Sequence, residues 1–168
     1  MEDKKNEGKI TEHVTVRGRF QLVVIDGKTG KEKARIEEHN LIVNSGIALI
    51  ASRLAGNSDG PAGYIAIGTG TNDPSAGDTA LQNEYARKAA DVSITTTNIT
   101  GDTVKFYAEF SASDGLSGTV TLAEAGIFNA SSGGKMLARK SYTATPIDWD
   151  ADDRAQITWE IIFSAQNG

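Results

Sequence analysis

The 168-residue sequence predicts a mainly β protein, an antiparallel, jelly-roll-like β-sandwich of about eight strands with one short α-helix. Three observations carry that expectation. Apolar residues recur at every second position along most of the chain, the pattern of strands with one face in a core and the other in water. Glycine- and asparagine-rich turns separate these runs at short intervals, favouring antiparallel strands over a parallel sheet with a helix at every crossover. Only one segment has helical spacing.

The first 12 residues hold Glu2, Asp3, Lys4, Lys5, Glu7, Lys9 and Glu12, too polar to pack, and read as a flexible N-terminal arm. An arm of this kind can also order against a neighbouring subunit. Residues 13–168 read as one domain. Val14, Val16, Phe20, Leu22 and Val24 alternate with Thr15, Arg17, Arg19 and Gln21, and Asp26-Gly27 and Thr29-Gly30 supply a turn. The return strand to His39, with Ala34 and Ile36 on one parity, completes a hairpin over 13–39. From Asn44, the residues Ile47, Ile50, Ala51 and Leu54 recur at helical spacing, with Asn44 or Ser45 available as cap and Gly56 as stop, predicting a helix over 44–55.

Tyr64 to Ile67 predicts a short strand, followed by a long loop from Gly68 to Asp78. Asp78 or Thr79 is placed to cap a single turn through Glu84. One β-branched strand is expected from about Arg87 to Thr97, turning at Asn98–Asp102 into the clean alternation Val104, Phe106, Ala108, Phe110. Thr119–Phe128, Lys135–Thr143 and Arg154–Phe163 complete the set, with Ile157, Trp159, Ile161 and Phe163 sharing a parity. No repeat of 20–50 residues and no linker divides the chain.

Composition bounds the function. The length suits one domain, which hides roughly 70% of its unfolded surface. Hydrophobic residues make up 39%, charged residues 23%, and the formal charge is −5 with a pI near 5.0. That balance disfavours a sequence-independent nucleic-acid binder, which needs a basic surface. With no cysteine, disulfides, thiol catalysis and Cys-ligated zinc are excluded. No apolar run approaches the ~20 residues that span a bilayer, and no signal peptide is recognisable, so no membrane insertion is expected.

The chemistry-bearing residues form no convincing constellation. His13 and His39 are the only imidazoles, no serine has a Gly-x-Ser-x-Gly context, and both histidines read as surface residues. Gly68-Thr69-Gly70 lacks the third glycine of a dinucleotide fingerprint and the Gly-Lys-Ser/Thr of a Walker loop. Asp148, Asp150 and Asp152 have calcium-loop spacing, but Asp153 and Trp159 stand where the turn glycine and the bidentate Glu belong. They read as an acidic hairpin tip, with weak cation binding helped by Asp153 as the alternative. Glu84, Glu109, Glu124 and Glu160 pair on paper as glycosidase carboxylates, yet Glu109 and Glu160 sit on the polar parity of their strands. Asn98-Ile99-Thr100 and Asn129-Ala130-Ser131 match the glycosylation acceptor pattern and read as turns. The sequence thus assigns no catalytic, cofactor-binding or metal-binding residue and no enzymatic activity.

Several segments do carry a resemblance in their order and spacing: Asn44-Ser45-Gly46; Ile65-Ala66-Ile67-Gly68-Thr69-Gly70; Pro74; Asp78-Thr79-Ala80-Leu81 with Glu84, Arg87 and Lys88; Glu124-Ala125-Gly126-Ile127-Phe128; and Met136-Leu137-Ala138-Arg139 with Pro146-Ile147. Over roughly Asn40 to Phe163 the chain resembles small virion proteins of tailed bacteriophages and prophages, usually labelled tail-fibre-like, with related β domains among head decorations. The resemblance implies a structural or adhesive virion component, made in the host cytoplasm, homo-oligomeric and often trimeric, whose partners are other tail or capsid proteins. At the matching positions, Gly68 and Gly70 are expected to let the strand turn into its loop. Glu84, Arg87, Glu124 and Arg139 are expected to form one ion-pair network clamping that loop to the sheet. The alternative is a module for host-surface glycans, with Tyr64, Tyr107, Tyr142 and Trp149 as candidate stacking platforms.

Overall fold

The computed structural model describes residues 13–166, so the expected arm over 1–12 lies outside the described residues. Nine strands run in the order β1 (His13–Ile25), β2 (Glu32–Ile42), β3 (Tyr64–Gly68), β4 (Glu84–Ala89), β5 (Asp91–Thr95), β6 (Thr103–Phe110), β7 (Thr119–Phe128), β8 (Met136–Asp148) and β9 (Arg154–Gln166), with one helix, α1 (Asn44–Leu54), after β2. They form a single antiparallel sheet of order β4-β3-β7-β8-β2-β1-β9-β6-β5. Among the described residues no helix is long and apolar enough to cross a membrane.

The spine of the sheet is the β1–β9 ladder, which pairs His13 with Gln166 and Ile25 with Arg154 without a register break. Its core-facing parity is the one read from the sequence: Phe20, Leu22 and Val24 lie beside Trp159, Ile157 and Ala155, all fully buried. The β1–β2 hairpin closes where Asp26 Oδ1 accepts the N–H groups of Lys28 (3.1 Å) and Thr29 (2.7 Å), and Gly30 takes the positive φ that the turn requires (67°).

The two ends of the strand order, β4 and β5, are consecutive in the chain, with only Ala90 between them. The sheet therefore curls until its ends meet. Lys88 Nζ on β4 spans the gap and donates to the Glu109 carbonyl on β6 (2.9 Å), leaving the sheet nearly closed around a core that includes Ile65, Ile67, Phe106, Ile127 and Trp149. This corrects the single strand expected over Arg87–Thr97: β4 bonds to β3, β5 bonds to β6, and the step at Ala90 transfers the chain from one end of the sheet to the other. The Ala90 N–H still donates to the Gly63 carbonyl (2.8 Å), one step beyond the Tyr64–Ala89 pair, before Asp91 takes up β6.

Three local expectations also change. The expected helical turn over 78–84 does not form; residues 78–83 stay irregular and Glu84 already opens β4. Neither Asn44 nor Ser45 caps α1, whose N-cap is Val43, and Ser45 Oγ instead donates to the Met136 carbonyl (2.7 Å), pinning the helix to β8. Strand β8 runs five residues beyond the expected Thr143, because past an irregularity it resumes pairing with β7 from Thr145 to Asp148. Between the pairs Leu122–Thr145 and Glu124–Ser141, one residue of β7 faces three of β8. The bulge turns Tyr142 into the core, where it stacks on Phe20 at 5.2 Å between ring centroids.

Strand β3, and β7 from Leu122 onward, are buried on both faces. Ile65, Ile67 and Ile127 enter the main core, while Ala66 and Phe128 join Val43, Met136 and Leu81 in a second cluster beneath the loop over 69–83. Something must hold that loop down.

Candidate functional site

The most elaborate polar constellation among the described residues is what fixes the 69–83 loop. Glu124 lies on β7 facing away from the main core, and its carboxylate is completely buried. It accepts the N–H groups of Gly70 (3.0 Å) and Asn83 (2.7 Å) on Oε1, and that of Gln82 (3.0 Å) on Oε2. Arg139, one strand over on β8, donates to the same Oε2 from Nε (3.1 Å) and Nη2 (2.8 Å). Arg139 then reaches the loop directly, through Nη1 to Asp78 Oδ2 (2.7 Å) and Nη2 to the Asn72 carbonyl (3.2 Å). Gln82 finishes the loop, its side-chain oxygen accepting from the N–H groups of Thr71 (2.9 Å) and Asn72 (3.0 Å).

A buried carboxylate is tolerable only when donors replace its water, and five donors do so here. Burial opposes the charge on Arg139, but the Asp78 and Glu124 carboxylates hold the guanidinium above its ordinary pKa. Burial likewise works against the Asp78 carboxylate, and the Ser75 N–H and Arg139 outweigh it and lower its pKa. Tyr142 donates to the Glu124 carbonyl (3.2 Å), and burial, with the Glu124 charge behind it, raises its pKa far above the phenol value. These groups are saturated by the protein, so the arrangement is an anchor and has no free acid, base or nucleophile.

The four residues expected in one network fall into two. Glu124 and Arg139 make the anchor just described, while Arg87 pairs with Glu84 (Nε to Oε1, 2.9 Å), donates to the carbonyls of Ala130 and Gly133, and lies 3.6 Å over the Phe128 ring. Gly68 separates the two sets, paired with Glu84 on one side and Glu124 on the other. Asp78 belongs to the anchor and not to a helix cap. The glycine expectation changes too: neither Gly68 nor Gly70 has a positive φ. A Cβ at Gly68 would stand 2.7 Å from Glu124 Oε1, and one at Gly70 would strike the same oxygen. Both are glycine so that backbone can close on a carboxylate.

The remaining candidates scatter. His13 and His39 are both exposed, His39 Nδ1 lying 3.2 Å from the Gly18 carbonyl. Asp148 accepts from the N–H of Asp150 (3.1 Å), and Asp150 from that of Gly118 (2.9 Å). Asp153 is buried, takes the N–H groups of Asp148 (2.9 Å) and Gly27 (3.2 Å), and pairs with Lys33. Asp152 is exposed, with the left-handed φ of 61° that ends the turn. The spacing is that of a turn wired internally, and among the described residues no group of three metal-binding side chains comes together. Glu109 and Glu160 are half-buried and not fully solvated, Glu109 with Gln156 (2.7 Å) and Glu160 with Arg19. Both acceptor-pattern asparagines lie in turns, as expected.

Of the aromatic candidates, Trp149 is 0% exposed and Tyr142 is buried against Phe20, so neither can stack on a sugar. Tyr64 and Tyr107 are half-buried on β3 and β6, with Tyr64 packed against the small cluster under the loop. Sequence reasoning missed Asp78 and Gln82 as loop fasteners. Nothing local marks them, because their partners lie 61 and 10–11 residues away. Compared with known proteins, the chain matches no family model, no curated protein and no solved structure.

Proposed function

We propose that this chain is a non-catalytic structural protein of a tailed-bacteriophage virion, assembling as an oligomer, trimer favoured, in a tail or tail fibre or as a head decoration. One observation carries the reading. The segments whose order resembles those virion proteins (Ile65–Gly70, Asp78–Leu81, Glu124–Phe128 and Met136–Arg139) converge on a single unit, the Glu124–Arg139 anchor and the loop it holds. A set of residues kept together for one mechanical purpose supports a shared scaffold. Among the described residues the buried charges Glu124, Arg139 and Asp153 each bond backbone groups, which suits a part whose work is to present surfaces.

We read the nearly closed sheet as two layers of a jelly-roll-like sandwich, with β2 shared between them. It bonds β1 from Glu32 to Asn40, then β8 at Leu41 and Ile42 alone. Antibody raised against the purified chain and applied to particles produced from the genome that encodes it tests the proposal. Gold label on tails or capsids is the expected result. Label confined to the unassembled fraction, with clean particles, overturns it.

A further inference from the structure

The two ends of the β1–β9 ladder are not alike. At one end β2 and β6 flank it, but at the other they stop short. Strand β2 pairs with β1 only from Gly18 onward, and β6 reaches β9 only as far as Ile162. His13–Arg17 and Ser164–Gln166 therefore continue as a two-stranded ribbon, each strand laddered to the other and to no further strand among the described residues. One face of the ribbon is Val14, Val16, Phe163 and Ala165, the same parity as the buried Phe20 and Trp159. It carries no charge. Val14 is 75% exposed.

Ordinary edge strands are defended by proline, lysine, an inward charge or a bulge, and an isolated two-stranded ribbon is marginal in water. This one has no proline, no lysine and no bulge, and its one charged side chain, Arg17, sits at its root on the opposite parity from the apolar face. The surroundings are apolar as well. Helix α1 lies against the ribbon's root, with Ile47 facing a groove shared with Val16 and Ile42, and Ile50 facing a second groove shared with Phe163 and Val92. Eight large apolar side chains are conspicuously exposed among the described residues. Seven belong to this end: Val14, Leu41, Ile47 and Leu54, then Val92, Ile94 and, in the β5–β6 turn, Ile99. Tyr85 is the exception. Averaging more than half exposed, they amount to several hundred Å² of apolar surface, the order of the ~800 Å² each partner gives a standard interface. The 12 residues that precede the ribbon offer Met1 and Ile10 among seven charged side chains, and so cannot supply an apolar cover.

We propose that the β1/β9 ribbon and the α1 face beside it form the interface between copies of this chain. A second copy supplies what is missing: an equal ribbon, with free edges of the same length and an uncharged apolar face to match. Closed homo-oligomers are the commonest solution to such self-complementary surfaces. This deepens the oligomeric part of the proposed function and rests on it.

The test is mass by size-exclusion chromatography with light scattering, on the full chain. The wild type is expected to be an oligomer, Val14→Glu to lose at least half of that mass while keeping its circular dichroism spectrum, and Tyr85→Glu to leave it unchanged. Because the chain has no cysteine, Val14→Cys and Tyr85→Cys give a second readout that needs no loss of fold. A short bismaleimide should link copies through position 14 and not through 85. An oligomer that ignores Val14→Glu, breaks with Tyr85→Glu or links only through 85 overturns this interface and leaves the virion reading standing. A wild type that is monomeric at every concentration overturns the interface and the oligomeric reading together.

Discussion

Glu124 illustrates how one buried charge can organise fifteen residues of irregular chain. Its carboxylate takes five donors, three of them backbone N–H groups of the 69–83 loop. Removing Arg139 would leave that charge uncompensated, so Arg139→Ala should cost about 3–5 kcal/mol in denaturant unfolding. Arg87→Ala should cost less, about 1–3 kcal/mol for its cation–π and carbonyl contacts. Because the two sets share no partner, the double variant should be additive to within about 0.5 kcal/mol; a larger coupling would show that they act as one network after all. Gly70→Ala would drive a Cβ into the Glu124 carboxylate and within 2.5 Å of Gln82 Cβ, a loss of about 1–3 kcal/mol by the same measurement. The loop-clamping role of Glu124 and Arg139 was legible in the sequence as part of an ordered set, but the reason for the glycines was not. It is a contact across 54 residues between Gly70 and Glu124, which no local pattern encodes.

At the scale of elements, alternation was a reliable guide wherever a strand is half-buried, as in β1, β6 and β9. It failed where burial or pairing changes partway. Strands β4 and β5 read as one run because both are β-rich, and only tertiary pairing separates them at Ala90. The stretch beyond Thr143 was missed because Pro146 disfavours a strand interior, yet Pro146 stays in register with Thr121 on β7 where β8, bonded to β2 only at Ala138 and Arg139, is an edge. Trp149, read as an exposed tip among aspartates, is buried because those aspartates cap a single 3-10 turn that tucks the indole inward. That turn is fastened to the β1–β2 hairpin through Asp153, Lys33 and the Gly27 N–H. Burial disfavours the Asp153 charge, but Lys33 and the two N–H groups win and lower its pKa from 3.8. A carboxylate lowered on folding stabilises the native state above its unfolded pKa and loses that contribution as pH falls through the lower native value. Thermal stability should therefore fall as pH drops below about 3.8, and Asp153→Asn should flatten that part of the profile while lowering stability at neutral pH.

For the molecule as a whole, the governing fact is that the first and last described strands form its central ladder. The Arg19–Glu160 contact across it joins residues 141 apart. Closing so long a loop before any reward arrives makes folding slow, on the order of milliseconds to seconds, and stopped-flow refolding should show its main phase there. Tryptophan fluorescence is a suitable probe, since Trp149 and Trp159 are both buried in the main core. A microsecond phase carrying most of the amplitude would contradict this topology. Deleting β9 should abolish the fold outright, since it removes the partner of both β1 and β6. The same ladder has a mechanical consequence. His13 and Gln166 are direct neighbours, so tension applied through them would not shear thirteen rungs at once. It would unzip them singly from the open end, each bond bearing the whole pull in turn. Stretched between His13 and Gln166 the domain would yield at low force, whereas a squeeze delivered across its faces would meet the full stiffness of a packed core.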